Sequence, residues 1–425
     1  MTIESILLLI FCLGYFAIIF EHKLGFDKAG AALITGVVLW TVWILASGVD
    51  DGSHRFMHEF LPEISSILLF LLGAMTIVEI IDQHDGFELI VSRITTTDKR
   101  RLLWIIAWIT FFLSAILDNL TTSIVMVSLL RKKIANQEDR LFFAGIVVIA
   151  ANSGGAWSPM GDITTTMLWI KGQITAMSII KEIFFASAVS LLVPLLVISF
   201  IMKGEVETPK SENKETDQPI WLRWVVFLLG LGTLISVPIF KTVTHLPPFM
   251  GMLLGLGIMW VITDLLHKEK NPEDKFGYSV YNAMSKIDTP SILFFFGILT
   301  AVSALDVSGI LKSLALHLDN SIGNHNIIIY TIGLLSAVID NVPLVSATQS
   351  MYTFPTDHHL WHFIAYCAGT GGSILIIGSA AGVAVMGIEK INFMWYAKRI
   401  GWLAFIGYTA GAIVSVLETH YLGNI

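Results

Sequence analysis

Charge is scarce in this 425-residue chain: Asp, Glu, Lys and Arg make up 14% of it, against 55% hydrophobic residues. That balance excludes an ordinary soluble domain, in which about a quarter of residues are charged. Cysteine is scarcer still. Cys12 and Cys367 are the only two, both inside apolar segments, which excludes a disulfide framework or a cysteine metal centre and leaves two packing residues. The leading apolar run, 3–20, has no basic leader and no small-x-small cleavage site, and it closes on Glu21-His22-Lys23. It therefore reads as a retained helix, not a cleaved signal peptide. The net charge of −7 is scattered over loops, so no nucleic-acid partner is expected.

What is present in quantity is apolar sequence of bilayer length. Runs cover 3–20, 29–46, 64–81, 179–202, 221–240 and 249–266, and each is long enough for a membrane helix. The lipid bilayer is thus the first partner. Lys and Arg concentrate in 21–28, 93–101, 131–140, 203–223, 267–288 and 390–399, and are sparse in 48–62, 171–178, 241–248, 306–326 and 353–360. Basic loops face the cytoplasm.

One acidic phrase occurs twice. Ser114-Ala115-Ile116-Leu117-Asp118-Asn119 returns as Ser336-Ala337-Val338-Ile339-Asp340-Asn341, each time within an apolar segment. A carboxylate there costs several kcal/mol unless it faces protein, water or an ion, so it marks a functional site by default. Segment 102–130 is flanked by two basic loops, and one crossing would set those loops on opposite faces. A re-entrant hairpin turning at Asp118-Asn119 removes the conflict. Segment 327–352, flanked by two poor loops, then dips in from outside and turns at Asp340-Asn341-Val342-Pro343, where proline favours a helix break.

The expected fold is an all-α polytopic membrane protein built from two inverted-topology repeats of five crossings. Each repeat holds a re-entrant helical hairpin and a broken, unwound helix. Repeat 1–203 carries hairpin 102–130 and broken helix 141–172. A polar cytoplasmic linker, 204–220, leads to repeat 221–425 with hairpin 327–352 and broken helix 360–389, and both termini fall outside. Further echoes agree: 67–76 (ILLFLLGAMT) resembles 292–300 (ILFFFGILT), Asn152-Ser153-Gly154-Gly155 aligns with Gly369-Thr370-Gly371-Gly372, and Gly161-Asp162 aligns with Gly378-Ser379.

The breaks are expected at 152–161, before a helix opened by Asp162, and at 368–378. Irregular backbone at membrane depth belongs where it lines a cavity or is buried in protein. Two tips and two breaks gather carboxylate, amide and hydroxyl oxygen, which suits a hard monovalent cation. The central segments carry Asp118, Asp162 and Asp340 and no Lys or Arg, so the site favours a cation, or protons exchanging with one. Asn119, Thr122, Ser153, Thr370 and Ser373 join as neighbouring polar groups. Glu63, after Pro62 at an outer end, is a candidate access or pH-sensing residue. His358, His359 and His362 have metal-like spacing without a ligand set, and read as interfacial.

Leu117-Asp118-Asn119-Leu120-Thr121-Thr122, Asn152-Ser153-Gly154-Gly155, Ser158-Pro159-Met160-Gly161-Asp162-Ile163-Thr164-Thr165 and Asp340-Asn341-Val342-Pro343, in that order, resemble the NhaD-type sodium/proton antiporters. That group sits in the ion transporter superfamily with arsenite permeases and dicarboxylate/citrate carriers. The resemblance covers nearly the whole chain. It implies exchange of Na+ or Li+ for H+ across a cell (inner) membrane, without a cofactor, by a scaffold domain and a moving transport domain, usually as a homodimer. The family's polar positions would fall on Asp118, Asn152, Asp162, Thr164, Thr165, Ser336, Asp340 and Asn341, with the Na+ site formed by Asp118, Asn152, Asp162, Asp340 and Asn341. An arsenite or dicarboxylate transporter is the alternative, and the two tip aspartates count against it. An intramembrane aspartyl protease would have no use for an inverted repeat.

Overall fold

A computed structural model describes residues 2–47, 54–207, 218–269 and 271–422. Helix dominates them, with one isolated strand-like bridge, Asp98 to Glu205. The principal helices are α1 (Ile3–Ile19), α2 (Lys28–Ser47), α3 (Leu61–Gln83), α4 (Lys99–Ser114), α5 (Asn119–Lys133), α6 (Gln137–Ala156), α7 (Ile163–Ile170) and α8 (Ala176–Ile201). After the polar connection come α9 (Ile220–Thr244), α10 (Pro248–Leu266), α11 (Thr289–Val307), α12 (Ile310–Ile322), α13 (His325–Leu335), α14 (Asn341–Met351), α15 (His359–Gly371), α16 (Ala380–Glu389) and α17 (Trp402–Leu422).

Seven helical stretches among the described residues are long and apolar enough to cross a membrane: 28–47, 56–83, 176–201, 220–244, 248–266, 289–307 and 393–420. The segments bearing the twin phrases behave differently. α4 and α5 have 16 and 15 residues, about 24 Å each, and α13 and α14 have 11 apiece, about 16 Å. None of the four spans a hydrocarbon core of about 30 Å. Pro343 lies in the first turn of α14, where its missing N–H forfeits no helical bond. It starts the second arm, and the break falls before it.

Pairings in one half have counterparts in the other. α2 packs on α1 and on α11, while α10 packs on α9 and on α3. Farther along, α4 and α5 pack on α6 as α13 and α14 pack on α15, and α5 meets α16 as α14 meets α7. The helices thus fall into one group of α1–α3 with α9–α11 and a second group of α4–α8 with α13–α17. The groups touch mainly where α14 meets α11 and α7 meets α3.

Both breaks come later than the sequence suggests. α6 stays helical through Asn152, Gly154 and Gly155, and the irregular backbone is 157–162; α15 continues to Gly371, and the second break is 372–379. Glycine serves close approach here, not unwinding. A Cβ on Gly154 would stand 2.2 Å from the Phe111 carbonyl oxygen, and one on Gly371 2.0 Å from that of Gly333, so each glycine lets one helix lie against another, α4 against α6 and α13 against α15. The connection 204–220 is anchored at its start. Lys99 N–H donates to Gly204 O at 3.0 Å, Val206 N–H to Thr97 O at 2.8 Å and Ala135 N–H to Glu207 O at 2.7 Å. Residues 208–217 lie outside the described residues.

Candidate functional site

Each break has to satisfy the free N–H groups of the helix that follows it. Four short polar side chains do so, one per half-helix. Asp118 caps α5, Asp162 caps α7, Asp340 caps α14 and Ser379 caps α16. The capping role suits the chemistry of these residues. It also draws three carboxylates and one hydroxyl to four helix starts that face a common centre.

Asp162 occupies that centre and is 1% exposed. Its Oδ1 accepts from Thr164 N–H and Thr164 Oγ1, both at 2.9 Å. Its Oδ2 accepts from Asn119 Nδ2 at 2.8 Å. Asn341 Nδ2 reaches the same carboxylate at 3.2 and 3.3 Å. One asparagine from each tip therefore meets one aspartate from the first break. Asn119 Nδ2 also donates to Asn152 Oδ1 at 3.0 Å, and Asn152 Nδ2 donates to Ser373 Oγ and Ser379 Oγ, each at 2.9 Å. The network thereby ties both tips to both breaks. Every member from Asn119 to Ser379 is buried, so losing one partner leaves a donor or acceptor stranded at about 1–3 kcal/mol.

Asp118 and Asp340 flank this network and are only partly buried. Asp118 has φ +146° and ψ +162°, a region that costs non-glycine residues about 1–3 kcal/mol and clusters at working sites. Its carboxylate takes Thr121 N–H and Thr121 Oγ1 at 2.7 Å each. Asp340 Oδ1 accepts from Val342 N–H at 3.2 Å, while Oδ2 lies 3.8 Å from Lys28 Nζ. The central segments themselves carry no Lys or Arg, but Lys28, the first residue of α2, approaches one of the three aspartates from outside them.

The remaining sequence candidates divide. Thr122 is fully buried and its hydroxyl has no hydrogen-bond partner among the described residues. Thr165 Oγ1 donates to Asp162 O at 2.8 Å, which fixes the turn and not the carboxylate. Thr370 Oγ1 is committed to Tyr366 O at 2.6 Å, Ser336 Oγ to Ala368 O at 2.8 Å, and Ser153 Oγ pairs with Ser190 at 2.8 Å. These three hydroxyls satisfy packing contacts and do not join the network. Among the described residues Glu63 has no bond to the network and forms an ion pair with Lys171 at 2.8 Å. His358 stacks on Phe354, and burial, with His325 nearby, pushes its imidazole below the usual range. Ser379 and Lys28 are the residues that sequence reasoning missed. Ser379 carried a signal, its alignment with Asp162, whereas nothing local to Lys28 points to Asp340.

A cavity of about 490 Å³ opens beside the network, lined by Glu21, Asp27, Lys28 and Asp288 with Leu120 and Ala380 from two half-helices. Beside Glu63, Lys171 and Asp306 there is room for only about 20 Å³. The space at the two ends of the contact between the helix groups is thus unequal.

The citrate transporter family model matches residues 15–360. Sodium/proton antiporter 1 of Arabidopsis thaliana is 49% identical over 420 residues, covering 97% of this chain and 72% of that protein. Sodium/proton antiporter 2 of the same plant is 48% identical over 418 residues, covering 97% of this chain and 99% of its own length. The Na(+)/H(+) antiporter NhaD of Vibrio cholerae is 30% identical over 458 residues, covering 99% of this chain and 92% of that one.

Proposed function

This chain belongs to the citrate transporter family, and on that footing we propose that it exchanges Na+, or Li+, for H+ across a membrane as a secondary active transporter. It is a multi-pass transport protein and not an enzyme. The observation that carries the proposal is the meeting of Asn119 and Asn341, from two separate tips, on the Asp162 carboxylate.

Charge argues for the ion. A helix start carries roughly half a positive charge, so four starts supply roughly two against three carboxylates, which leaves roughly one negative charge. A monovalent cation balances it, in competition with the Lys28 ammonium beside Asp340. With neutral caps in place of Asp118, Asp162 and Asp340, the same four starts would attract an anion, which is how one scaffold can serve carriers of either sign. Both side-chain amides can turn their oxygen toward an ion, and Thr164 and Ser373 add hydroxyls, so the donor set is the oxygen set a hard cation takes. Protons and cation then compete for Asp118, Asp162 and Asp340. A carboxylate holding one cannot hold the other, and because the empty charged site crosses the membrane poorly, that competition gives exchange.

The division into two helix groups supports alternating access. The second group carries the whole network, and the first supplies Lys28 and the walls of the open cavity. The unequal cavities support a conformer open on the side of 21–28, which is the cytoplasm in the topology proposed: inverted repeats 1–203 and 221–425, with hairpins 102–130 and 327–352 entering from opposite faces. The matching pairings in the two halves and the four arms too short to cross support that topology. A homodimer in the cell membrane completes the reading.

The test is proton movement in everted vesicles on addition of NaCl, LiCl, KCl, citrate or arsenite in turn. Na+ or Li+ should drive proton release, and Asp162→Asn should abolish it. A response to citrate or arsenite but not to Na+ would overturn the proposal.

A further inference from the structure

A second cavity, of about 340 Å³, lies away from the network where α4, α6, α8 and α17 begin or end on the basic face. The chain before α17 makes one wide π-helical turn, Ala397–Gly401, and this turn presents Lys398 and Arg399 together on the cavity rim. Lys99 and Lys203 line the same space. Two carboxylates, Glu138 and Asp139, face it as well, so four cations outnumber two anions. Lys99 is spent on Asp139 at 2.7 Å. Lys203, Lys398 and Arg399 are exposed and have no ion pair among the described residues.

The opposite wall is apolar. Ile198, Met202 and Leu403 are buried, whereas Ile201 and Trp402 are 66% and 42% exposed and continue outward along lipid-facing helices. Cations at the rim with an apolar wall leading to the bilayer match the two parts of a phospholipid: a charged headgroup phosphate and the start of its acyl chains. A tryptophan at that level is where an amphipathic ring settles. Basic pockets between membrane helices on the cytoplasmic side suit anionic headgroups, and Arg399 can hold two phosphate oxygens at once.

The geometry points to an anionic-phospholipid site in this cavity, with Lys203, Lys398 and Arg399 holding the headgroup phosphate. The shared chemistry is a phosphate with one or more negative charges, and the occupant is a membrane lipid and not free phosphate, because only a lipid also covers Ile201 and Trp402. A lipid there joins the ends of α4, α6, α8 and α17, all in the group that carries the ion network, so it should stiffen that group. This inference does not depend on which ion is carried.

The experiment is thermal unfolding of the full chain in phosphatidylcholine bilayers, in phosphatidylcholine mixed with phosphatidylglycerol, and in phosphatidylcholine with inorganic phosphate. Phosphatidylglycerol should raise the transition temperature of the wild type and of K181Q/K268Q, whose lost lysines lie elsewhere on the surface. K203Q/K398Q/R399Q should lose most of that rise yet unfold like the wild type in phosphatidylcholine. Native mass spectrometry should find phosphatidylglycerol retained by the wild type and not by the triple variant. An equal rise in the triple variant, or the same rise with inorganic phosphate alone, overturns the lipid site.

Discussion

Lys28 Nζ stands 3.8 Å from Asp340 Oδ2, joining the first turn of α2 to the cap of α14 across the boundary between the two helix groups. The ammonium also lies 4.6 Å above the Phe294 ring, a position held by its partial burial. With the site's balance near one negative charge, this lysine supplies a built-in countercharge that an entering cation displaces. Lys28→Gln should therefore lower the KM for Na+ about two- to fivefold, the range set by a partly solvated ion pair. The maximal rate should change less, and Lys28→Arg should keep wild-type values; vesicle transport against Na+ concentration measures all three.

Asn119 and Asn341 make like bonds to one carboxylate, so their removal should not add. Asn119→Ala and Asn341→Ala should each raise the KM for Na+ about tenfold, the equivalent of about 1.4 kcal/mol. The double variant should fall short of the product of the two, as coupled partners do. A double-mutant cycle on transport rates provides the measure.

Asp118 separates strain from function. Asp118→Gly relieves the φ of +146° but loses the cap, each worth about 1 kcal/mol, so thermal stability should stay within about 1 kcal/mol of wild type. Ion exchange should nevertheless disappear. Asp118→Ala has no such relief and should be the less stable of the two in a thermal melt.

Glu389, 2% exposed, receives Arg131 Nε and Arg140 Nε at 2.7 Å each, fastening the end of α16 to the base of α5 and the start of α6. Glu389→Gln leaves two guanidiniums short of a charged partner. The expected loss is about 2 kcal/mol of stability, read as a lowered transition temperature. Transport per folded molecule should hold, because the ion network is untouched.

His358 gives a pH dependence of defined sign. Its imidazole is depressed in the fold by burial and by His325, while the unfolded chain titrates near about 6.5. Just below neutrality the unfolded state binds more protons, so stability falls as pH drops through about 6.5 toward the depressed value. His358→Gln should reduce that slope in thermal melts taken across pH without abolishing it, because burial lowers the neighbouring His359 in the same direction.

Sequence points most clearly to residues whose signal is local. Asp118, Asp162 and Asp340 stand out because a carboxylate in an apolar run is costly wherever the chain goes. The aligned pair Asp162 and Ser379 marks two equivalent caps for the same reason, since every helix start needs an acceptor. Gly154 and Gly371 mislead, because a glycine that permits close packing looks the same in sequence as one that breaks a helix. Thr370 and Ser336 give their hydroxyl protons to nearby backbone carbonyls and Ser153 pairs with Ser190, pairings that no local sequence signal announces.

Apolar length alone marks the membrane-length helices, since hydrocarbon penalises each exposed polar group one segment at a time. Packing alone fixes which oxygen meets which nitrogen. It puts Asn152 against Ser373 and Ser379, both tip asparagines on one carboxylate, Lys28 beside Asp340 and three uncommitted cations around one cavity. Those contacts join segments remote in the chain, and their distances are set by how whole helices pack, to which no short stretch of sequence is sensitive.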